Sequence, residues 1–240
     1  MEDPSKILKQ GFEDYSLTEQ IDPHAVQNLD RFSRLLLEKN QVMNLTAIRE
    51  PVGVARLHFL DCAALLQFCD FEHKSLIDVG TGAGFPGMVL KILVPSLDVT
   101  LLDSLNKRLD WLAETCWALG LQGVRTVHAR AEEQAQAAGF RDSFDFAAAR
   151  AVADLRMLCE LCLPYVKIGG QFLAMKSVDC GRELEDAAHA IRLLGGQLTT
   201  VKDYPLPGTE ITHRLIVIEK LAPTPERYPR RWAKMQKEPL

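Results

Sequence analysis

The sequence holds no apolar run of the length a bilayer demands. Its start, MEDPSKILKQGFEDYS, has neither the basic opening and apolar middle nor the small-residue cleavage site of a secretory signal. A cytoplasmic address with no membrane partner is therefore expected. Positive charge is scarce as well: 28 Lys and Arg against 32 Asp and Glu leave a net charge of −4. That balance argues against indiscriminate binding to nucleic acid, whose affinity comes from many cations neutralising phosphates. The 6 cysteines do not read as a disulfide framework, since thiols stay reduced in the cytosol. One C-x-x-C, Cys159 to Cys162, lacks two further ligands at zinc spacing and reads as part of a helix among Leu158, Leu161 and Leu163. No metal site is expected. Internal repeats and low-complexity tracts are also missing.

What is present divides into unlike parts. Up to about Asp70 the pattern is helical: Asp22 and Pro23 read as an N-cap and first-turn proline, followed by Val26, Leu29, Leu36 and Leu37 at helical spacing. NQVMNLTAI interrupts it, and a second helix starts around Pro51. From Ser75 onward, short β-like runs alternate with amphipathic helices, the signature of a parallel sheet covered on both faces. The runs are 75–79, 98–103, 124–129, 144–149 and 171–176. After a helix at about 181–194, QLTTVKDYPL and HRLIVIEK follow each other across a turn, which predicts an antiparallel strand at the end of the sheet. The expected fold class is α/β with an N-terminal helical appendage (1–70), an α/β domain (71–222) and a basic tail (223–240). In that tail Arg227, Arg230 and Arg231 stand close to Tyr228 and Trp232.

The stretch LIDVGTGAGFPGMVL, behind the first run, allows two glycine registers. Gly80, Gly82 and Gly84 make G-x-G-x-G; Gly82, Gly84 and Gly87 make the G-x-G-x-x-G of dinucleotide enzymes. A pyrophosphate wants bare N–H groups at a helix start, but Pro86, placed in the first turn, removes one. Asp78, read as facing the pocket mouth, would repel phosphate and attract a cation. S-adenosylmethionine, with an ammonium, a sulfonium and no phosphate, meets those demands better; a nicotinamide dinucleotide is the rival ligand. Asp103, ending the second run, is where a ribose-binding acid belongs under either reading, and Glu132 stands where it can sit beside an adenine.

The fourth run ends in FDFAAARAVADL. It holds no Asp/Asn-Pro-Pro-aromatic box to grip an exocyclic amine and no cysteine to attack a pyrimidine carbon. Arg150 is the obvious polar group, suited to a cofactor or an RNA phosphate. An acceptor that already owns an in-plane lone pair, such as guanine N7, fits a site without a base, because catalysis then rests on alignment.

With these residues assembled, the chain resembles the RsmG (GidB) family from about Leu35 onward. The resemblance is carried by NLTAI (44–48), LHFLDC (57–62), DVGTGAGFPG (78–87), LLDSLNKR (101–108), ARAEE (129–133), ARA (149–151) and the terminal YPRR and KEPL. It implies a Rossmann-like class I methyltransferase fold and transfer of a methyl group from S-adenosyl-L-methionine to N7 of a guanine in 16S rRNA. Cofactor contacts are implied at Gly80, Phe85, Asp103, Ser104, Leu105, Ala131, Glu132 and Arg150, to which the loop reading adds Asp78 and Gly82. No general base is implied. Lys176, Arg214, Arg227, Arg230 and Arg231 are the RNA-binding candidates. The acidic balance points to a partly assembled small ribosomal subunit as the partner, met by a monomer. A second rival is an RNA-binding assembly factor that kept the fold without catalysis.

Overall fold

The computed structural model describes residues 2–150 and 153–240; Ala151, the last residue of the ARA segment, lies outside the described residues. The chain opens with α1 (Pro4–Asp14), whose N-cap Asp3 accepts the Ser5 N–H and whose first residue is proline. The second helix, α2 (Ala25–Asn40), starts later than Asp22 and Pro23 suggest: Asp22 accepts the His24 N–H and closes a turn ahead of the helix. One continuous helical segment then combines α3 (Pro51–Val54), a π-helical stretch (Ala55–Leu60), α4 (Asp61–Ala63) and a 3-10 turn (Ala64–Gln67). Such departures from the α register are frequent where a helix carries functional side chains.

The alternating part reads β1 (Ser75–Val79), α5 (Gly87–Leu93), β2 (Asp98–Asp103), α6 (Asn106–Leu119), β3 (Val124–His128), α7 (Ala131–Gln134), β4 (Phe144–Arg150), α8 (Leu155–Cys162), β5 (Val166–Ser177), α9 (Gly181–Leu193), β6 (Gly196–Pro205) and β7 (Thr212–Lys220). A last helix, α10 (Trp232–Lys237), closes the chain. The strands form one sheet of order β3-β2-β1-β4-β5-β7-β6. β7 is antiparallel to both of its neighbours and the remaining pairings are parallel, so the expected antiparallel last strand lies inside the sheet rather than at its edge. The α6 stripe is buried at Leu109, Leu112, Cys116 and Leu119. Gly120 ends it in the left-handed conformation at φ 70°, where a side chain would be strained.

Two buried layers sandwich the sheet. On one face α1, α2 and the 51–67 segment share a core with α5 and α6, with Leu8, Phe12, Phe32, Phe59, Val89 and Trp111 in one cluster. On the other face α8, α9 and the tail enclose Leu158, Phe172, Ile191, Tyr228 and Met235. The sequence order reverses between β1 and β4, and in such sheets the crevice beyond the carboxyl ends of the strands at that switch point is where ligands bind.

Candidate active site

A cavity of about 470 Å³ opens at the switch point. Gly80, Gly82, Phe85 and Asp103 line it, from the β1 loop and the end of β2. Ser104, Ala131, Glu132 and Arg150 complete the predicted set that the fold brings together. Leu105 differs: its side chain is exposed, and its backbone N–H donates to Asp103 Oδ1 at 2.9 Å. Asp103 is itself buried, accepts the Gly82 N–H at 2.9 Å and lies 3.5 Å from the Arg108 guanidinium.

Asp78 requires a correction. Instead of facing the pocket mouth it is fully buried beneath the loop, accepting the Thr81 hydroxyl at 2.7 Å and the Gly87 N–H at 2.8 Å. Burial pushes its carboxyl up to about 6, against those two hydrogen bonds, both of which fall on Oδ2. Pro86, too, sits one residue ahead of α5 rather than within its first turn. All the loop amides but that of Ala83 are spent on the protein: Gly80 and Thr81 donate to the Leu102 carbonyl, Gly84 and Phe85 to the Thr81 carbonyl, and Gly82 and Gly87 to the two aspartates. Pro86 has no N–H to give. The positive φ of Gly80, Gly82 and Gly84, 72°, 57° and 92°, makes this inward folding possible. A Cβ on Gly87 would stand 2.7 Å from Leu101 and 2.9 Å from Asp78 Oδ2, so this glycine serves close packing of α5 on the sheet.

At the other end of the cavity, beyond β4, lies a polar network that joins distant parts of the chain. Arg150 Nη1 donates to Asp61 Oδ2 at 3.0 Å, and Nη2 approaches His58 Nδ1 at 3.1 Å. Asp61 Oδ1 also accepts the Tyr204 hydroxyl and bonds His213 Nδ1, each at 2.8 Å. Burial raises the Asp61 carboxyl, but the His213 hydrogen bond and the Arg150 charge outweigh it and hold the group below its ordinary value. Asp61 therefore neutralises Arg150. The His58 ring and the Arg150 guanidinium both rest on Phe85, 4.5 Å and 4.7 Å from its ring centre. Through this network His58 and Asp61 tie the N-terminal helical segment to Arg150 at the end of β4. Thr46 and Trp232 also line the cavity; both stand in segments that carry the resemblance or the basic tail, yet nothing in their spacing points at a pocket.

The RNA-binding candidates scatter outside the cavity. Lys176 and Arg214 are register neighbours on β5 and β7, but Lys176 bonds Glu183 at 2.6 Å and Arg214 forks onto Asp203 at 2.6 and 2.8 Å. Arg230, another RNA-binding candidate, is already engaged: it holds Glu160, 1 % exposed, through a two-pronged ion pair. Arg227 is exposed and lies over the Tyr228 ring, and Arg231 is exposed at the start of α10. The cysteines behave as expected, with Cys159 and Cys162 fully buried and their thiols pushed up by burial. Among the described residues no cluster of His, Cys, Asp or Glu could hold a metal, and no helix is long and apolar enough to cross a membrane.

The family described as rRNA small subunit methyltransferase G (GidB) matches residues 25–211. A protein named ribosomal RNA small subunit methyltransferase G from Alkaliphilus metalliredigens is 46% identical over 98% of this chain and 98% of its own. A protein of the same name from Clostridium perfringens is 43% identical over 87% of this chain and 88% of its own. Among solved structures, TrmN from Thermus thermophilus superimposes with a TM-score of 0.53 at 22% identity, covering 68% of this chain and 49% of that one. A SAM-dependent O-methyltransferase from Thermotoga maritima gives 0.52 at 17% identity over 79% of this chain and 72% of that one. At such identities the two structures speak for the α/β fold alone.

Proposed function

Because the chain belongs to the rRNA small subunit methyltransferase G (GidB) family, we propose that it transfers a methyl group from S-adenosylmethionine to N7 of a guanine in 16S rRNA, in the cytoplasm. One observation carries the choice of cofactor. Apart from Ala83, the amides of the β1 loop that a pyrophosphate would need are already bonded to the loop itself, to Leu102 or to the aspartates, and the Gly87 N–H at the α5 start is held from beneath by Asp78. An anion would meet a helix start whose first N–H is already taken by an acidic side chain. A cationic, phosphate-free ligand meets neither obstacle.

In this reading Gly80, Gly82 and Phe85 bound the cofactor, Asp103 and Ser104 hold its ribose, and Ala131 and Glu132 flank its adenine. Asp78 holds the loop in shape, and Leu105 contributes backbone. When bound, S-adenosylmethionine supplies a methyl on a sulfonium, which the N7 lone pair takes as the carbon–sulfur bond breaks, so no proton has to be removed. The protein's task is alignment and charge control. Arg150, paired with Asp61, presents donors at the β4 end without an uncompensated cation beside a base that becomes positive. The division of labour follows the chain: 71–222 binds the cofactor, 1–70 walls the acceptor side, and 223–240 closes the adenine side through Trp232.

For RNA the exposed Arg227 and Arg231 are the stronger candidates; Lys176 and Arg214 must exchange their acidic partners for phosphates. With net charge −4, a monomer acting on a partly assembled subunit is favoured over one acting on naked RNA. Calorimetry with S-adenosylhomocysteine and with NADH tests the cofactor: binding of the first alone is expected, and binding of NADH alone overturns the reading. Methyl incorporation into intact subunits, and little into deproteinised rRNA, is the expected substrate result. Cofactor binding with no incorporation into either would favour an assembly factor.

A further inference from the structure

The segment NLTAI forms the wall opposite the β1 loop, and it is fixed from one side chain. Asn40 Oδ1 accepts the Leu45 and Thr46 N–H groups at 2.8 and 3.0 Å, and its amide donates to the Thr46 carbonyl at 2.9 Å. This holds Thr46 at the cavity beside His58 and Arg150. The Thr46 hydroxyl has one proton and two lone pairs. Ile48 N–H donates to it at 3.1 Å, and His58 Nε2 lies 2.7 Å away.

The direction of the second bond follows from Arg150. His58 Nδ1 lies 3.1 Å from two groups of opposite demand, the Leu57 carbonyl, which only accepts, and Arg150 Nη2, which only donates. The charge-assisted bond is the stronger, and the Leu57 carbonyl also faces Arg150 Nη1 at 3.5 Å, so Nδ1 turns its lone pair to the guanidinium and accepts. The proton of the neutral ring is then on Nε2, and Nε2–H donates to Thr46. Both Thr46 lone pairs are taken, and among the described residues no protein group accepts its proton. The chain Arg150, His58, Thr46 thus delivers a hydroxyl into the cavity that can donate and cannot accept.

Resting on the reading of the site as a guanine-N7 methyltransferase, we propose that Thr46 is its base-specificity residue, donating to O6 of the target guanine. N7 and O6 share one edge of guanine and are both acceptors; adenine offers an amino donor in place of O6. Since N7 must stay free to take the methyl, O6 is the position where the protein reads the base. A hydroxyl stripped of acceptor capacity meets an adenine amine donor to donor. His58 is the positioning residue that imposes this polarity.

The test uses the full-length protein and small subunits reconstituted with 16S rRNA in which the mapped target carries guanine, 2-aminopurine (nothing at C6) or 2,6-diaminopurine (an amine at C6). The wild type should prefer guanine, and Thr46→Val should lower the guanine to 2-aminopurine ratio in kcat/KM by about 10- to 100-fold. S-adenosylhomocysteine affinity should stay within about 3-fold, and Thr46→Ser should restore the ratio. His58→Phe frees a lone pair on Thr46, so the guanine to 2,6-diaminopurine ratio should fall, a change that mere loosening of the fold does not produce. An unchanged guanine to 2-aminopurine ratio in Thr46→Val overturns the proposal even with full activity. Absence of any transfer by the wild type overturns the methyltransferase reading itself.

Discussion

Acidification should weaken the fold through His58, and the size of the effect follows from the network around it. Burial first, and the adjacent Arg150 charge second, push the imidazole from 6.5 down to about 4. The unfolded chain takes up a proton at the ordinary value while the folded chain does not, so this contribution is complete above about pH 6.5 and is lost as pH falls toward 4. Between pH 7 and pH 4.5 the loss amounts to about 2 kcal/mol. His213 acts with the opposite sign. Its hydrogen bond to Asp61 raises its value against burial, so its contribution is present at low pH and fades as pH rises. A comparison of variants separates the two. His58→Phe keeps a ring against Phe85 and removes the titration; at pH 7 it should lose about 1–2 kcal/mol from two hydrogen bonds, but its stability should fall less on acidification. Urea unfolding of wild type and variant at pH 7 and 4.5 should show the gap between them narrow by about 2 kcal/mol. Parallel loss in both proteins would refute the assignment of a neutral, buried His58.

Other outcomes are accessible to the same methods. Arg230→Ala strands the buried Glu160 and should cost about 3–5 kcal/mol in urea unfolding; a variant that keeps its stability but loses RNA affinity would restore Arg230 as an RNA contact. Gly87→Ala places a Cβ against Leu101 and Asp78 and should destabilise by about 1–3 kcal/mol, with weakened S-adenosylhomocysteine binding in calorimetry. Trp232→Ala should weaken that binding by about 3- to 10-fold; unchanged affinity would place the indole outside the site.

The strand and helix pattern from Ser75 onward was open to reading because it depends on local periodicity, as at Leu109, Leu112 and Cys116. So were the residues that line the cavity at the strand ends: Gly80, Gly82 and Asp103 lie where the chain's own order puts them. Asp78 was misjudged because strand polarity gives its position but not its side chain's partner, which is the Gly87 N–H nine residues on. The acceptor side was the least legible. Asp61 meets Tyr204 and His213 across 143 and 152 residues of chain, and no spacing encodes such a meeting. Arg230 shows the same limit, since a basic stretch reads as solvated until Glu160 is found beneath it.

The cavity is lined from Leu45 to Trp232, and this has a consequence during synthesis. A polypeptide still emerging from the ribosome has its glycine loop early but lacks the β7 imidazole that braces Asp61 and the indole that closes the far wall. It cannot assemble a finished pocket until residue 232 has cleared the exit tunnel. A polypeptide cut before the last helix lacks the Trp232 side of that wall although every strand of the sheet is present.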